Sequence, residues 1–288
     1  MSSSDGFRAR YGPWAVIAGG SEGIGRSFAM QVAARGLNLL LVARRAGPLD
    51  DTATEIRARF GVDVVTQTLD LTARGLDSAI ATLVDGRDVG LLVCNAGATH
   101  EAAMLLDRPV DAALALVRLN CAAPLVLSHA LGTQMRARGR GGVILVSSMA
   151  GLAGGAFIAA YAASKAFEVV LAESLWYEFG TTGVDVVGLI AGATATPAML
   201  RSGMKFGTAD GDAARATAGP ATSTVPMDPD QVVREALESL GRGPLHVAGD
   251  ANRQVASGLR SAPRDQVVAA MSKAVAEMYG IPLPPRIP

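Results

Sequence analysis

Apolar and polar positions alternate along this chain in two rhythms. Short runs, most of them largely apolar, occur at 14–18, 39–43, 62–69, 89–93, 143–146, 184–190 and 245–248, the third interrupted by Asp63 and by Thr66, Gln67 and Thr68. Runs without period-two alternation suit strands buried on both faces of a parallel sheet. Between them lie longer segments with apolar residues at helical spacing: 26–35, 49–60, 110–136, 161–179, 228–240 and 263–279. Gly61 and Gly241 stop two of these, and Asp228-Pro229 supplies an N-cap followed by a proline at the first helical position. Pro124 sits inside the long segment 110–136. The alternation predicts one domain, a doubly wound parallel α/β sheet with helices on both faces. Residues 197–226 are rich in Gly, Ala and Thr with weak periodicity, and read as a linker. A helical extension is expected at 251–288, ending in a proline-rich tail.

Composition narrows the function. Half of the 288 residues are hydrophobic, enough for a large core. Lys+Arg and Asp+Glu are both 26, a balance that lacks the basic excess of a nucleic-acid footprint. Arg136, Arg138 and Arg140 read as a solvated helix end. Cys94 and Cys121, the only cysteines, lie in apolar surroundings, which argues against a disulfide framework and for a reducing, cytoplasmic setting. His100, His129 and His246 show no metal-ligand spacing. The first residues lack an apolar signal region, and no membrane span is expected.

Chemistry enters at the ends of the predicted strands, the edge at which open α/β sheets bind ligands. Run 14–18 flows into Gly19-Gly20-Ser21-Glu22-Gly23-Ile24-Gly25 and a helix. Strand, glycine turn and helix let a backbone approach a pyrophosphate at a helix N-terminus. Run 39–43 ends in Arg44 and Arg45, two guanidiniums suited to a phosphate or simply solvated on a loop. Run 143–146 leads into Ser147 and Ser148; Tyr161 follows thirteen positions after Ser148 (161 − 148 = 13), and Lys165 four after that. On one helix, Tyr161 and Lys165 share a face. An ammonium beside a phenol favours phenolate, which makes the phenol a usable proton donor and acceptor.

This arrangement resembles the short-chain dehydrogenase/reductase family over residues 12–250, on six stations in order. The spacing Gly19-x-x-x-Gly23-x-Gly25 is that family's form of the glycine turn, with Ala18 where a Thr is usual. Cys94-Asn95-Ala96-Gly97 stands for its Asn-Asn-Ala-Gly, and Ala191-Gly192 for its Pro-Gly. The resemblance implies an oxidoreductase interconverting a carbonyl and an alcohol with NADP(H). Tyr161 would be the acid/base, Ser148 would hold the substrate oxygen, and Lys165 would support the phenol and bind the nicotinamide ribose. Asn120 would hold a water relay, and residues 197–226 would form a lid over the substrate. Gly19, Ser21, Gly23, Ile24, Gly25, Asp70, Leu71, Asn95, Ala96, Gly97, Gly192, Thr194 and Thr196 would contact the cofactor. Arg44, in place of the Asp that selects NAD, would read the 2′-phosphate; Arg45, one step on in strand alternation, is expected to turn away and contribute less.

Ala150, Leu152, Phe157, Met199 and Phe206 are candidate walls for an apolar ketone or secondary alcohol. The helices at 110–136 and 161–179 are expected to pair across a two-fold axis in a homodimer or homotetramer. Two other readings compete. A cofactor sensor without turnover has no need of the full Ser148, Tyr161, Lys165 and Asn120 set. A sugar-nucleotide epimerase shares the Tyr-x-x-x-Lys pair but has G-x-x-G-x-x-G and a larger C-terminal domain.

Overall fold

A computed structural model describes residues 3–98, 102–202, 204 and 225–285. Among them, seven parallel strands form one sheet in the order β3-β2-β1-β4-β5-β6-β7. The strands are β1 Trp14–Ala18, β2 Asn38–Ala43, β3 Val64–Thr68, β4 Val89–Cys94, β5 Gly141–Ser148, β6 Val184–Ala191 and β7 Leu245–Val247. Each apolar run of the sequence became a strand. The edge strand β3 carries Thr66, Gln67 and Thr68 and is progressively exposed, whereas β4 is buried throughout.

Helices cover both faces. On one lie α2 Gly23–Ala33, α3 Ala46–Phe60 and, late in the chain, α9 Pro229–Ser239. On the other lie α4 Leu76–Val84, a helical run from Val110 to Arg138, and α7 Ala159–Gly180. Successive strand residues point to opposite faces. Ile17, Leu39 and Leu41 therefore join the first core with Phe28, Val32, Leu49 and Ile56, while Val16, Leu40 and Val42 join the second with Ile80, Leu127 and Leu131. Gly61 ends α3 in the left-handed conformation, and Asp228 Oδ1 caps α9 by accepting from the Asp230 N–H at 2.7 Å.

Five features depart from the sequence reading. An N-terminal helix α1, Ser3–Tyr11, and helix α4 were not anticipated. The segment expected as one helix is α5 Val110–Val117 and α6 Ala123–Arg138, joined by a π-helical turn at Arg118–Ala122. It is long and apolar enough to cross a membrane, yet here one face packs on the sheet through Leu127, Leu131 and Met135. The C-terminal extension holds two helices, α10 Asp250–Ser261 and α11 Arg264–Tyr279, which close a third and a fourth apolar cluster over the end of β5. A short helix α8, Pro197–Arg201, opens the stretch expected as a lid, most of which lies outside the described residues.

Candidate active site

The site grows from the C-terminal edge of β5. The strand ends at Ser148, a 3-10 turn spans Met149–Leu152, and α7 starts at Ala159. Ser148 Oγ accepts the Ala150 N–H at 3.2 Å, which leaves its own proton to donate elsewhere. Tyr161, in the first turn of α7, packs against an apolar cluster that holds Phe157, Ile158 and Ala162 and that Tyr279 and Ile281 also join. One turn on, Lys165 is buried. Its Nζ donates to the Val146 carbonyl at 2.9 Å and pairs with Glu168, with Oε2 at 2.8 Å and Oε1 at 3.1 Å. Burial presses the Lys165 pKa down, but the charges of Glu168 and Tyr161 outweigh it and hold it above the usual lysine value. Glu168 is buried too, and burial pushes its carboxyl up to about 7 even beside the ammonium.

Asn120 lies in the π-helical turn and is fully buried. Its Oδ1 accepts the Ala98 N–H at 3.1 Å; its Nδ2 donates to the Ala98 carbonyl at 3.0 Å and to Ser164 Oγ at 2.9 Å. The side chain is thus spent on tying the loop after β4 to α7. Pro124 brings no N–H, so the Asn120 carbonyl loses the donor an α-helix would give it four residues on. A widened turn at that point is a frequent accommodation and is common at functional sites.

At the other end of this edge, the glycine turn is closed by contacts that only glycine permits. Gly19 has φ +88°, and a Cβ on Gly25 would lie 1.8 Å from the Gly19 carbonyl oxygen. Asn95 Nδ2 donates to that same oxygen at 3.1 Å, and the Ala96 N–H reaches the Ala18 carbonyl at 2.7 Å, tying β4 to β1. A Cβ on Gly23 would meet Thr196, whose Oγ1 accepts the Met199 N–H at 3.1 Å and caps α8. Gly97 packs over the Lys165 ammonium. Thr194 is buried and donates to the Gly192 carbonyl at 3.0 Å; Gly192 leaves room for Asn252. The Ser21 carbonyl accepts the Thr52 hydroxyl at 3.3 Å. Ile24 and Leu71 turn their side chains into the cores, so a cofactor would meet their main chain.

Glu22 is the N-cap of α2, yet its side chain caps nothing. It pairs instead with Arg45, whose Nη2 is 2.7 Å away, and with Arg201 from α8. Those two guanidiniums, Arg201 foremost, hold its carboxyl below the usual range. This corrects the expectation that Arg45 turns away: β2 ends before it, strand alternation lapses, and the side chain swings toward the glycine turn. Arg44 is exposed and close enough to Asp70 to help lower the Asp70 carboxyl, whose Oδ1 also accepts the Thr72 N–H and hydroxyl at 2.9 and 2.8 Å.

The expected walls separate. Ala150 and Phe157 join the cluster around Tyr161, with Phe157 buried at a left-handed φ of 68°. Leu152 packs away from it, among Met149, Leu259 and Met271 under the C-terminal helices. Met199 is half-buried on α8, and Phe206 lies outside the described residues. Sequence reasoning missed Glu168, Glu22, Tyr279 and Ile281. Glu168 carried a signal, its i, i+3 spacing from Lys165; the C-terminal pair carried none.

The family model "short chain dehydrogenase" matches residues 13–204. The chain belongs to the short-chain dehydrogenase family. It is an oxidoreductase of that family, acting on hydroxyl and carbonyl groups. It is 32% identical over 247 residues to a 7beta-hydroxysteroid dehydrogenase of Collinsella aerofaciens, covering 86% of this chain and 90% of the relative. A solved 7beta-hydroxysteroid dehydrogenase structure superposes with a TM-score of 0.82 at 29% identity, over 92% of this chain and 98% of that one. A short-chain dehydrogenase from Sphingobium yanoikuyae in complex with NADPH gives 0.71 at 28% identity, over 86% and 93%. A bulky-bulky ketone specific alcohol dehydrogenase from Comamonas testosteroni gives 0.69 at 26% identity, over 88% and 96%. The residues here fit the family's dinucleotide. No side chain caps the first N–H groups of α2, which leaves them as donors for a pyrophosphate, and β2 ends without a carboxylate.

Proposed function

We propose that the chain is an NADP(H)-dependent oxidoreductase that interconverts a bulky apolar ketone and its secondary alcohol. The observation that carries the reading is the surroundings of Tyr161: a phenol one helical turn from a buried lysine, beside the end of β5, bedded in aliphatic and aromatic side chains. A bound nicotinamide supplies or accepts the hydride. Tyr161 Oη gives a proton to the carbonyl oxygen in reduction and takes it back in oxidation. The Ser148 hydroxyl donates to the same oxygen and fixes its position. Lys165 supports charge on the phenol and binds the nicotinamide ribose hydroxyls. The Asn120 main-chain carbonyl starts the water relay from the lysine to solvent.

Arg44 reads the 2′-phosphate, and Arg45, released from Glu22, stands close enough to assist. NADPH in the Sphingobium yanoikuyae neighbour supports that choice. The apolar cluster and the hydroxysteroid and bulky-ketone relatives support a large, ring-like substrate. The exposed faces of the paired helices, with Val117, Leu125, Val170 and Tyr177, suit a homodimer or homotetramer in the cytoplasm. One domain and a C-terminal extension complete the reading.

A panel of bulky ketones and secondary alcohols, followed at the nicotinamide absorbance, tests it. Turnover is expected with NADPH, and Tyr161→Phe is expected to lower kcat on the order of 10²–10⁴-fold with cofactor binding nearly intact. Wild-type kcat in that variant would remove Tyr161 from its role.

A further inference from the structure

The buried carboxylate of Glu168 has no part in the proton transfer just described, yet it is the closest charge to the lysine that does. Its Oε2 stands 2.8 Å from Lys165 Nζ and its Oε1 3.1 Å, with 2% of the Glu168 side chain and 7% of the Lys165 side chain exposed. The titratable groups around the pair come from three elements: Tyr161 on α7 itself, Cys94 at the end of β4, and Cys121 in the π-helical turn. Burial raises both thiols, so neither brings a charge at neutral pH. The remaining contact of the ammonium is a neutral one, the Val146 carbonyl. An ammonium taken wholly out of water tends to give up its proton.

We propose that Glu168 is a positioning residue that keeps the buried Lys165 charged and aimed, and so preserves the cation on which Tyr161 depends. The inference rests on the reading of Tyr161 and Lys165 given above. Without the carboxylate, burial favours loss of the Lys165 proton, and the cation beside Tyr161 goes with it. Cys94 stands in the strand-end motif where the family carries Asn, and it lies in the apolar core close enough to Glu168 to feel its charge. Breaking one member of a buried pair is costly, because it strands the other charge.

The experiment is a four-protein cycle of wild type, Glu168→Gln, Lys165→Met and the double variant, with Glu168→Asp as the conservative rescue. In alcohol oxidation, the rising limb of kcat/KM against pH is expected to move up by about two units in Glu168→Gln, the scale on which loss of the Lys165 charge, one helical turn from Tyr161, acts at an effective dielectric near 20. It should return toward wild type in Glu168→Asp, which keeps the charge. An unmoved limb, or one that moves down, overturns the proposal. Thermal unfolding needs no turnover. Lys165→Met is expected to have the lowest Tm of the four, with the double variant above it, because Gln relieves the stranded carboxylate. A double variant no more stable than Lys165→Met overturns the pairing even if Glu168→Gln is inactive. Loss of turnover in Tyr161→Phe together with an unmoved Glu168→Gln profile sinks this inference alone; wild-type turnover in Tyr161→Phe sinks the functional reading instead.

Discussion

Lys165–Glu168 and Arg45–Glu22–Arg201 are built from the same kinds of group, and they stand at the β5 and β1 ends of one sheet edge. They differ in their access to water. The first pair is almost wholly buried, and burial is the largest influence on both of its members. In the second, both arginine side chains are 54% exposed, and hydrogen bonding rather than burial leads the shift of Glu22. A buried ion pair has large opposing terms, so removing one partner is felt strongly. An exposed pair has small ones and is screened by salt. In the proposed reading, the dry end carries the chemistry and the wet end the cofactor recognition.

Lys165→Met tests the dry end and carries the largest expected effect. Turnover should fall on the order of 10²–10⁴-fold, the KM for NADPH should rise with it, and the protein should lose stability. An unchanged cofactor KM would take the ribose contact away from Lys165. At the wet end, Arg44→Asp should invert the cofactor preference. A guanidinium at a solvated rim contributes about 1–3 kcal/mol toward a phosphate after losses to water, or roughly 5- to 150-fold in favour of NADP(H). The check is kcat/KM for both dinucleotides at one moderate ionic strength; a ratio that stays put would move the assignment to Arg45.

Glu22→Gln should do least. The Glu22 carboxyl is lowered in the fold, so whatever stability it adds is present above its unfolded value and is lost as pH falls through the lowered one. With both arginines more than half exposed, the contribution should stay within about 1 kcal/mol and vanish in molar salt. A Tm loss as large as that of Lys165→Met would erase the distinction between the two ends.

Some of this was legible without coordinates. The strands and most of the helices follow from apolar periodicity, and Ser148, Tyr161 and Lys165 became candidates through their spacing and the family that spacing resembles. Asn120 announced itself as a polar residue in an apolar helix, but not the π-helical turn that holds it, because that turn depends on what Pro124 does to a backbone packed against α7. Helix α4 and the N-terminal helix escaped notice because short, weakly patterned segments are stabilised by what they pack on rather than by their own sequence. Arg45 was misdirected because alternation was carried one residue past the end of a strand.

The order of elements, the sheet's handed topology and the glycine turn are properties of local sequence, since periodicity, turn chemistry and steric room act over a few residues. Glu168 shows where that reach stops. Three residues after Lys165, it has the spacing of an ordinary solvent-facing helix pair worth a few tenths of a kcal/mol. Only the packing of β4, the π-helical turn and β5 against α7 removes the water, and removing the water turns a surface pair into the partner of the site's lysine. The apolar bed of Tyr161 was settled in the same way. Tyr279 and Ile281 lie more than a hundred residues away in sequence, and they join the cluster on which Tyr161 packs because the sheet's end and the C-terminal helix each have an apolar face to bury.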